Sequence, residues 1–223
     1  MKNYDELSEE EFLKRYVSAN EIPYRILTWP MIVLAQILYR PKAYGVEDIP
    51  DDEAIIIATN HRAAPDPAFI INAYRKRPIR YMAKRKLNDG PFGLIFRLAL
   101  TIPVDRSRKA TKAVSAAELV LHNKGVIGIF PEGTRNHSDD ILLPFKYGAV
   151  SLAQKTGAYL VPSVNVGRYV PFRSRVETYF AKPYKIAADT DLDVENEKLR
   201  QIMYDLYVEH AKDDEKVKKL HKQ

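Results

Sequence analysis

Two short segments contain residue types that could carry out chemistry. In the first, His61 is followed five positions later by Asp66, just after the apolar run at residues 55–58. A neutral imidazole can take a proton from a hydroxyl, and a carboxylate on its other nitrogen fixes the tautomer and stabilises the imidazolium. The pair therefore predicts a general base and its orienting acid. The alternative is that His61 is a polar loop residue and Asp66 only caps a helix beginning at Pro67.

The second segment, Phe130 to Arg135, reads FPEGTR and follows the apolar run at residues 126–129. Gly133 would let backbone N–H groups approach an anion closely, and the planar guanidinium of Arg135 can grip a phosphate. The alternative is a tight turn that carries a surface arginine. Together with His61, the segment indicates that a hydroxyl is activated beside a phosphate.

The sequence lacks the signatures of several other enzyme classes. It contains no cysteine, which excludes thiol nucleophiles, disulfides and thiolate metal sites. Neither the G-x-S-x-G nucleophile elbow nor the G-x-x-x-x-G-K-[ST] phosphate loop occurs. We therefore expect the base to act directly on a substrate hydroxyl, without a covalent acyl-enzyme and without nucleotide hydrolysis.

Strands and helices are expected to alternate along the chain and to position both segments. Apolar runs predict strands at residues 54–59, 79–83, 101–104, 126–130, 159–164 and 175–180. Helical spacing predicts helices at residues 8–19, 67–75, 92–100, 108–123, 148–155 and 195–219. This order predicts an α/β fold with a largely parallel central sheet flanked by helices. Such sheets bind ligands at the carboxyl ends of their strands, where both segments fall.

The first 42 residues form a segment distinct from the rest, so we divide the chain into residues 1–42 and 43–223. Ser8 and Glu11 predict a helix start by the capping-box pattern. Pro23 and Pro30 are expected to break or kink the apolar stretch that follows. That stretch, residues 26–39, is shorter than the roughly 20 apolar residues needed to cross a bilayer, and the charged start is unlike a signal peptide.

Charge and aromatic residues bear on whether this segment meets a membrane. Arg25 and Arg40 flank the stretch, and Trp29 and Tyr39 are residues that favour the membrane interface. The net charge is +6, and residues 75–112 contain twelve Lys/Arg against two Asp. This basic run predicts an anionic partner, although a solvated face is the usual alternative. Aromatic residues do not interleave with it, which disfavours nucleic acid. We therefore favour a helical interfacial segment over a core helix.

The order of the motifs resembles the glycerolipid acyltransferase family, whose best-known members are the 1-acyl-glycerol-3-phosphate acyltransferases. The matching blocks are Asn60 with His61 and Asp66, Val104 to Arg106, Phe130 to Arg135, and Val161 with Pro162. Lys84 and residues 144–149 give supporting matches. The resemblance covers residues 45–164, and a complete FPEGTR in order with the other blocks is highly specific.

The resemblance implies transfer of a fatty acyl group from acyl-CoA or acyl carrier protein to a glycerol hydroxyl, with no metal or cofactor. His61 would be the general base and Asp66 its orienting acid. The acceptor's phosphate pocket would comprise Arg106, Glu132, Gly133, Thr134, Arg135 and Lys84. Pro162 would shape the acyl-binding side, and the N–H of Gly133 would help to stabilise the oxyanion.

The expected function is therefore phospholipid biosynthesis, by conversion of 1-acyl-glycerol-3-phosphate to phosphatidic acid. The protein would be peripheral or monotopic on the cytoplasmic face of a membrane, held by the apolar segment and by attraction to anionic lipids. Arg62 and Ala63 depart from the family's usual residues, which bears on acceptor preference.

Other functions stay open at this stage. Glycerol 3-phosphate or a lysophospholipid with a head group are alternative acceptors. Two alternatives belong to different classes: a metal-dependent hydrolase using His61, Asp66 and Glu132, and a non-catalytic module that binds lipid or nucleic acid.

Overall fold

Seven strands form one sheet in the computed structural model, which describes residues 8–17, 21–91, 93–104, 111–173, 175–212 and 214–220. The strands are β1 (Lys42–Tyr44), β2 (Ile55–Thr59), β3 (Ile79–Lys84), β4 (Ile102–Val104), β5 (Val126–Ile129), β6 (Tyr159–Gly167) and β7 (Val176–Phe180). Their order is β1-β7-β6-β2-β5-β3-β4, and only the β6–β7 pair is antiparallel. The predicted α/β fold with a largely parallel sheet is confirmed.

Helices cover both faces of this sheet. They are α1 (Glu9–Phe12), which continues as a π-helical stretch (Leu13–Val17), α2 (Glu21–Tyr39), α3 (Asp66–Ala73), α4 (Arg85–Asp89), α5 (Gly93–Leu98), α6 (Thr111–His122), α7 (Gly148–Thr156), α8 (Leu192–His210) and α9 (Glu215–Leu220). Side chains alternate across β2: Ile56 enters the core under α6, α7 and α8, whereas Ile55 and Ile57 enter the core under α2 and α3. A short 3-10 turn (Val46–Asp48) follows β1.

The helix α2 is continuous, so of the predicted break or kink at its prolines the break is wrong. Pro23 lies in the first turn, where the missing N–H is not needed. Pro30 lies inside the helix but on its exposed side, where solvent can satisfy the carbonyl that loses its donor. The opposite side is fixed to the domain, since Tyr24 accepts a hydrogen bond from the N–H of Ile79 at 3.2 Å.

The apolar N-terminal segment is longer than the run at residues 26–39 had indicated. Counted from Arg15 to Tyr39, it qualifies by length and composition alone as one candidate membrane span among the described residues. Only 17% of its apolar 18-residue window is buried within the protein. The predicted capping box at the start of α1 is confirmed, because Ser8 and Glu11 exchange hydrogen bonds of 3.0 and 3.2 Å.

Two further differences from the predicted elements lie towards the ends of the chain. The three-residue strand β1 was not predicted, and it forms by pairing with β7 rather than from a strong local pattern. The predicted helix at residues 195–219 is two helices, because α8 ends at His210 and α9 begins after a turn at Asp214.

One edge of the sheet collects the segments that carry chemistry, and we call it the carboxyl edge. The strands β2, β3, β4, β5 and β6 all end there because they run parallel. The strands β7 and β1 begin there instead, since β7 is antiparallel to β6 and β1 is parallel to β7.

Candidate active site

The loop between β2 and α3 brings His61 and Asp66 together. The Nδ1 atom of His61 lies 2.9 Å from Oδ2 of Asp66. A carboxylate can only accept, so Nδ1 carries the hydrogen and Nε2 presents its lone pair. The imidazole is 19% exposed, whereas the carboxylate is fully buried. This is the geometry that a general base and its orienting acid require.

Asp66 turns its carboxylate towards the loop and not towards the helix. Its Oδ2 accepts hydrogen bonds from the backbone N–H groups of Arg62 and Ala63, each at 2.7 Å. Asp66 is the first residue of α3, after Pro65, and makes no side-chain cap. The predicted cap with Pro67 at the first helical position is therefore wrong, because the loop amides hold the carboxylate instead.

Two residues distant in the sequence complete the environment of Asp66. Its Oδ1 accepts from the hydroxyl of Tyr169 at 2.6 Å and from Nδ2 of Asn165 at 3.4 Å. Asn165 is itself fixed by the hydroxyl of Thr178 at 2.8 Å. Burial and the charge of Asp66 raise the pKa of Tyr169 well above its ordinary value, so its hydroxyl stays a donor. Sequence analysis did not identify either residue, since nothing local marks them.

An aromatic stack fixes the plane of the imidazole. The ring of His61 lies 4.1 Å from that of Phe130, at an interplanar angle of 21°. Phe130 in turn stacks on Tyr81, with ring centroids 5.5 Å apart. The adjacent ends of β2, β5 and β3 thus hold the ring from one side while Asp66 holds its Nδ1.

Glu132 connects the two segments through backbone contacts. Its Oε1 accepts from the N–H of His61 at 2.8 Å, and its Oε2 accepts from the N–H of Leu143 at 2.9 Å. The residue is 3% exposed, and burial raises the pKa of its carboxyl, against the opposing effect of the two N–H donors. The sequence predicted a phosphate-binding role. These contacts favour a positioning role, because both oxygens are occupied and a buried carboxylate repels phosphate.

The turn after Glu132 presents the groups expected to meet phosphate. Gly133 adopts a left-handed conformation with φ of 68°, and Thr134 and Arg135 beyond it are exposed. Lys146 packs along Gly133: a Cβ atom there would lie 2.9 Å from its Cδ and Cε. The N–H of Gly133 donates to the carbonyl of Phe130 at 2.9 Å. This N–H is therefore not free to stabilise an oxyanion in this conformation, although the sequence had led us to expect that role.

The structure describes two of the three remaining predicted site residues, Lys84 and Pro162. Lys84 is exposed at the end of β3, where it is paired in register with Val104 of β4. Arg106 lies outside the described residues. Pro162 is buried in β6, opposite Ala58 of β2. Its role on the acyl-binding side stays a prediction.

Arg62 ties the site loop to the C-terminal helices. Its guanidinium bonds Oδ2 of Asp214 at 3.0 Å and the carbonyl of Gly167 at 3.3 Å. It also lies over the rings of Tyr169 and Tyr207, 5.6 and 5.5 Å from their centroids. Burial opposes ionisation of Asp214, but hydrogen bonds and the charge of Arg62 lower the pKa of its carboxyl overall. This departure from the family pattern thus has a structural role.

The described residues contain no group of three His, Cys, Asp or Glu side chains that could hold a metal ion. The metal-dependent alternative needs His61, Asp66 and Glu132 to converge. Instead, Nδ1 of His61 contacts Asp66, and both oxygens of Glu132 accept from backbone N–H groups.

The basic run at residues 75–112 is not one solvent-facing patch. Arg80 is 6% exposed and donates to the carbonyl of Tyr16. Other cations of the run are bound to protein groups: Lys76 to Asp51, Arg77 to a main-chain carbonyl, and Arg85 to Asp89. Part of the charge that predicted an anionic partner therefore makes contacts within the fold.

Comparison with known proteins agrees with this geometry. The sequence profile of the family described as "Acyltransferase" matches residues 40–166, which is more than half of the chain. The chain belongs to the acyltransferase family. The matched residues include the whole of the His61–Asp66 loop and the FPEGTR segment, together with most of the carboxyl edge.

Several curated relatives carry more specific names. The 1-acyl-sn-glycerol-3-phosphate acyltransferase of Borreliella burgdorferi is 36% identical over 53% of this chain and 48% of its own length. The Bacillus subtilis protein of that name is 32% identical over 56% of this chain and 62% of its own length. The mouse alpha protein is 30% identical over 69% of this chain and 55% of its own. The chain thus spans about half to three fifths of these relatives.

A solved structure has the same fold. The 1-acyl-sn-glycerophosphate (LPA) acyltransferase PlsC from Thermotoga maritima superposes with a TM-score of 0.65, covering 90% of this chain and 82% of its own. The two sequences are 20% identical, so this likeness supports the fold alone.

Proposed function

We propose that this protein transfers a fatty acyl group from an acyl thioester to the free hydroxyl of 1-acyl-glycerol-3-phosphate and forms phosphatidic acid. The observation that carries the proposal is the 2.9 Å contact between Nδ1 of His61 and the buried carboxylate of Asp66, beside the FPEGTR turn. The names of the curated relatives support the acceptor and the product.

In the proposed mechanism, Nε2 of His61 takes the proton of the acceptor hydroxyl as its oxygen attacks the thioester carbon. The imidazolium that forms is stabilised by Asp66 through Nδ1. When the tetrahedral intermediate collapses, the carbon–sulfur bond breaks and the proton passes from His61 to the departing thiolate. The products are an ester and a free thiol. No protein group in the described part of the chain bonds Nε2, so this nitrogen is available to the substrate.

The acceptor's phosphate would lie against the turn that follows β5. Arg135 can hold a phosphate through two parallel N–H bonds, and Thr134 adds a hydroxyl donor. The ammonium of Lys146 lies next to Gly133 and adds a second cation that sequence analysis did not single out. Lys84 is the last residue of β3 and lies at the same edge, which supports its proposed part in this pocket. The part of Arg106 rests on the sequence motif alone.

The exposed face of α2 supports placement at a membrane surface. Ile22, Ile26, Trp29 and Ile37 are 56–67% exposed and follow one another at helical spacing. The opposite face packs on α3, where Ala35 is buried in one cluster with Ala68 and Phe69. A helix bound to the domain on one side and apolar on the other suits a monotopic position in the interface. We propose the cytoplasmic leaflet as its location.

The test is acylation by the purified protein in mixed micelles. Lysophosphatidic acid is supplied with labelled acyl-CoA in one set of reactions and with labelled acyl carrier protein in another. Labelled phosphatidic acid with either donor supports the proposal and identifies the donor. Product only with glycerol 3-phosphate, or only with a lysophospholipid that has a head group, would replace the proposed acceptor. No product with any acceptor would overturn the assignment as an acyltransferase of this type.

A further inference from the structure

A cationic cleft lies at the carboxyl edge, separate from the proposed phosphate pocket. It has a volume of about 210 Å³ and is lined by Arg40, Phe172, Arg173 and Arg175. Arg40 precedes β1, and the other three residues precede β7. Since β1 and β7 begin where β2 and β6 end, the cleft opens at the same edge as His61. Three strand spacings separate β1 from β2, which is roughly 14 Å.

No residue that the structure describes neutralises the charge of this cleft. None of its three arginines forms an ion pair or side-chain hydrogen bond within the part of the chain that the structure describes. Other arginines of the surface are paired: Arg25 with Glu21 and Arg200 with Glu197. Three guanidinium groups around one opening favour an anion, and their planar donors fit phosphate oxygens.

Apolar side chains lie directly beside this charge. Phe172 is 64% exposed, and its N–H donates to the carbonyl of Leu38 at 2.7 Å, which joins the cleft to the end of α2. The neighbouring Leu34 and Ile37 on α2 are 55% and 56% exposed, and Val170 is 42% exposed. These apolar side chains would contribute nothing to the binding of a small soluble anion. A lipid presents a phosphate and acyl chains together, so it matches both parts.

We propose that this cleft binds the headgroup phosphate of an anionic phospholipid within the bilayer and thereby sets the carboxyl edge against the membrane. The inference rests on the membrane placement in the proposed function, and it adds a specific lipid site. Phe172 enters the interface beside the bound lipid, and α2 lies along the bilayer surface. His61 then faces the same lipid layer from which its acceptor is drawn.

The experiment measures partitioning of the purified protein onto sedimented vesicles, without acyl donor or acceptor. One set of vesicles is phosphatidylcholine alone, and the other also contains phosphatidylglycerol. The test variant is Arg173→Gln with Arg175→Gln. The control is Arg200→Gln with Lys212→Gln, which removes the same charge from the α8 side of the sheet. All four side chains have exposed or partly exposed positions, so thermal unfolding is expected to change little.

We expect the test variant to partition about 10- to 30-fold more weakly onto the anionic vesicles, because each basic residue near the surface contributes appreciably to binding. The control variant should bind these vesicles less than about threefold more weakly than wild type. Raised salt should reduce the difference in binding between wild type and the test variant. Equal losses in the two variants, or none in the test variant, would overturn the proposal.

Two further arms distinguish lipid binding from binding of soluble phosphate and from docking of a protein donor. If inorganic phosphate at millimolar concentration abolishes the difference between the variants, the cleft is a site for soluble phosphate and the lipid assignment is wrong. If vesicle binding is normal in the test variant but turnover with acyl carrier protein alone falls, the cleft docks that acidic protein instead. Because partitioning is measured without turnover, failure of the protein to acylate lysophosphatidic acid would leave this result standing.

Discussion

Replacing Tyr169 by phenylalanine tests whether Asp66 depends on a hydrogen-bond donor that is distant from it in the sequence. The change removes one hydroxyl, which donates to Oδ1 of Asp66 at 2.6 Å. The ring keeps its contacts, since it packs against Phe69 and Tyr39 with centroids 5.7 and 6.4 Å away. The perturbation is therefore confined to one charge-assisted hydrogen bond.

The size of the expected effect follows from the hydrogen-bond donors that Asp66 keeps in the variant. A hydrogen bond to a charged group contributes about 1.5–3 kcal/mol. Two backbone N–H donors at 2.7 Å and the imidazole of His61 remain on Oδ2, so we expect the lower end of that range. Loss of about 1.5 kcal/mol should lower the free energy of unfolding by that amount and reduce kcat about 10-fold. The acceptor does not touch Tyr169 in this account, so KM should stay within about twofold.

The assay combines turnover with unfolding in denaturant across pH. The pKa of Tyr169 is raised in the folded state above its ordinary 10.0, so its stabilising contribution is complete below pH 10 and declines as the pH rises further. The stability difference between wild type and variant should thus be constant at neutral pH and should shrink above pH 10. Tyr204→Phe is the control, since that hydroxyl makes no hydrogen bond within the described residues. Unchanged kcat in Tyr169→Phe would refute the proposed positioning of Asp66.

Three other predictions address the loops around the site. Glu132→Gln should lower the free energy of unfolding by about 1–3 kcal/mol, because the NH2 group of the glutamine would face a backbone N–H, donor against donor. An unaltered denaturant midpoint would contradict this. Arg62→Ala should lower the free energy of unfolding by about 2 kcal/mol and speed proteolysis between α8 and α9. Asp214→Asn should show part of both effects. Gly133→Ala should lower the free energy of unfolding by about 1 kcal/mol, since Lys146 can move aside but a φ of 68° strains alanine. A thermal unfolding midpoint equal to that of wild type would exclude this strain.

Much of the fold could be predicted because the central strands are marked locally. The strand β2 was expected at residues 54–59 and β5 at 126–130, each within one residue of the observed ends. Both are buried on two faces and so read as continuous apolar runs. Gly157 ends α7 with a left-handed conformation, as glycine at such a position predicts.

Elements that depend on tertiary contacts were not predictable in this way. The strand β1 has three residues and exists through its pairing with β7. The helix α2 keeps two prolines because one lies in its first turn and the other faces outwards. The turn between α8 and α9 centres on Asp214, whose contacts with Arg62 span 152 positions in the sequence.

The residues of the candidate site also divide into those marked locally in the sequence and those that depend on tertiary contacts. His61, Asp66 and the FPEGTR segment could be identified because each is a short motif after a strand. Tyr169 and Asn165 could not, since they contact Asp66 only after β6 has paired with β2. The positioning role of Glu132 was equally hidden, because its partners are backbone N–H groups that carry no sequence signal.

The most direct test of the central claim is the turnover number of His61→Ala beside that of His122→Ala, an exposed histidine on α6. Both are measured with lysophosphatidic acid and the donor that wild type prefers, after circular dichroism has shown that both are folded. Removal of the general base should lower kcat at least about 100-fold, whereas the control should match wild type. A folded His61→Ala protein that still forms phosphatidic acid at a rate near wild type would contradict the account.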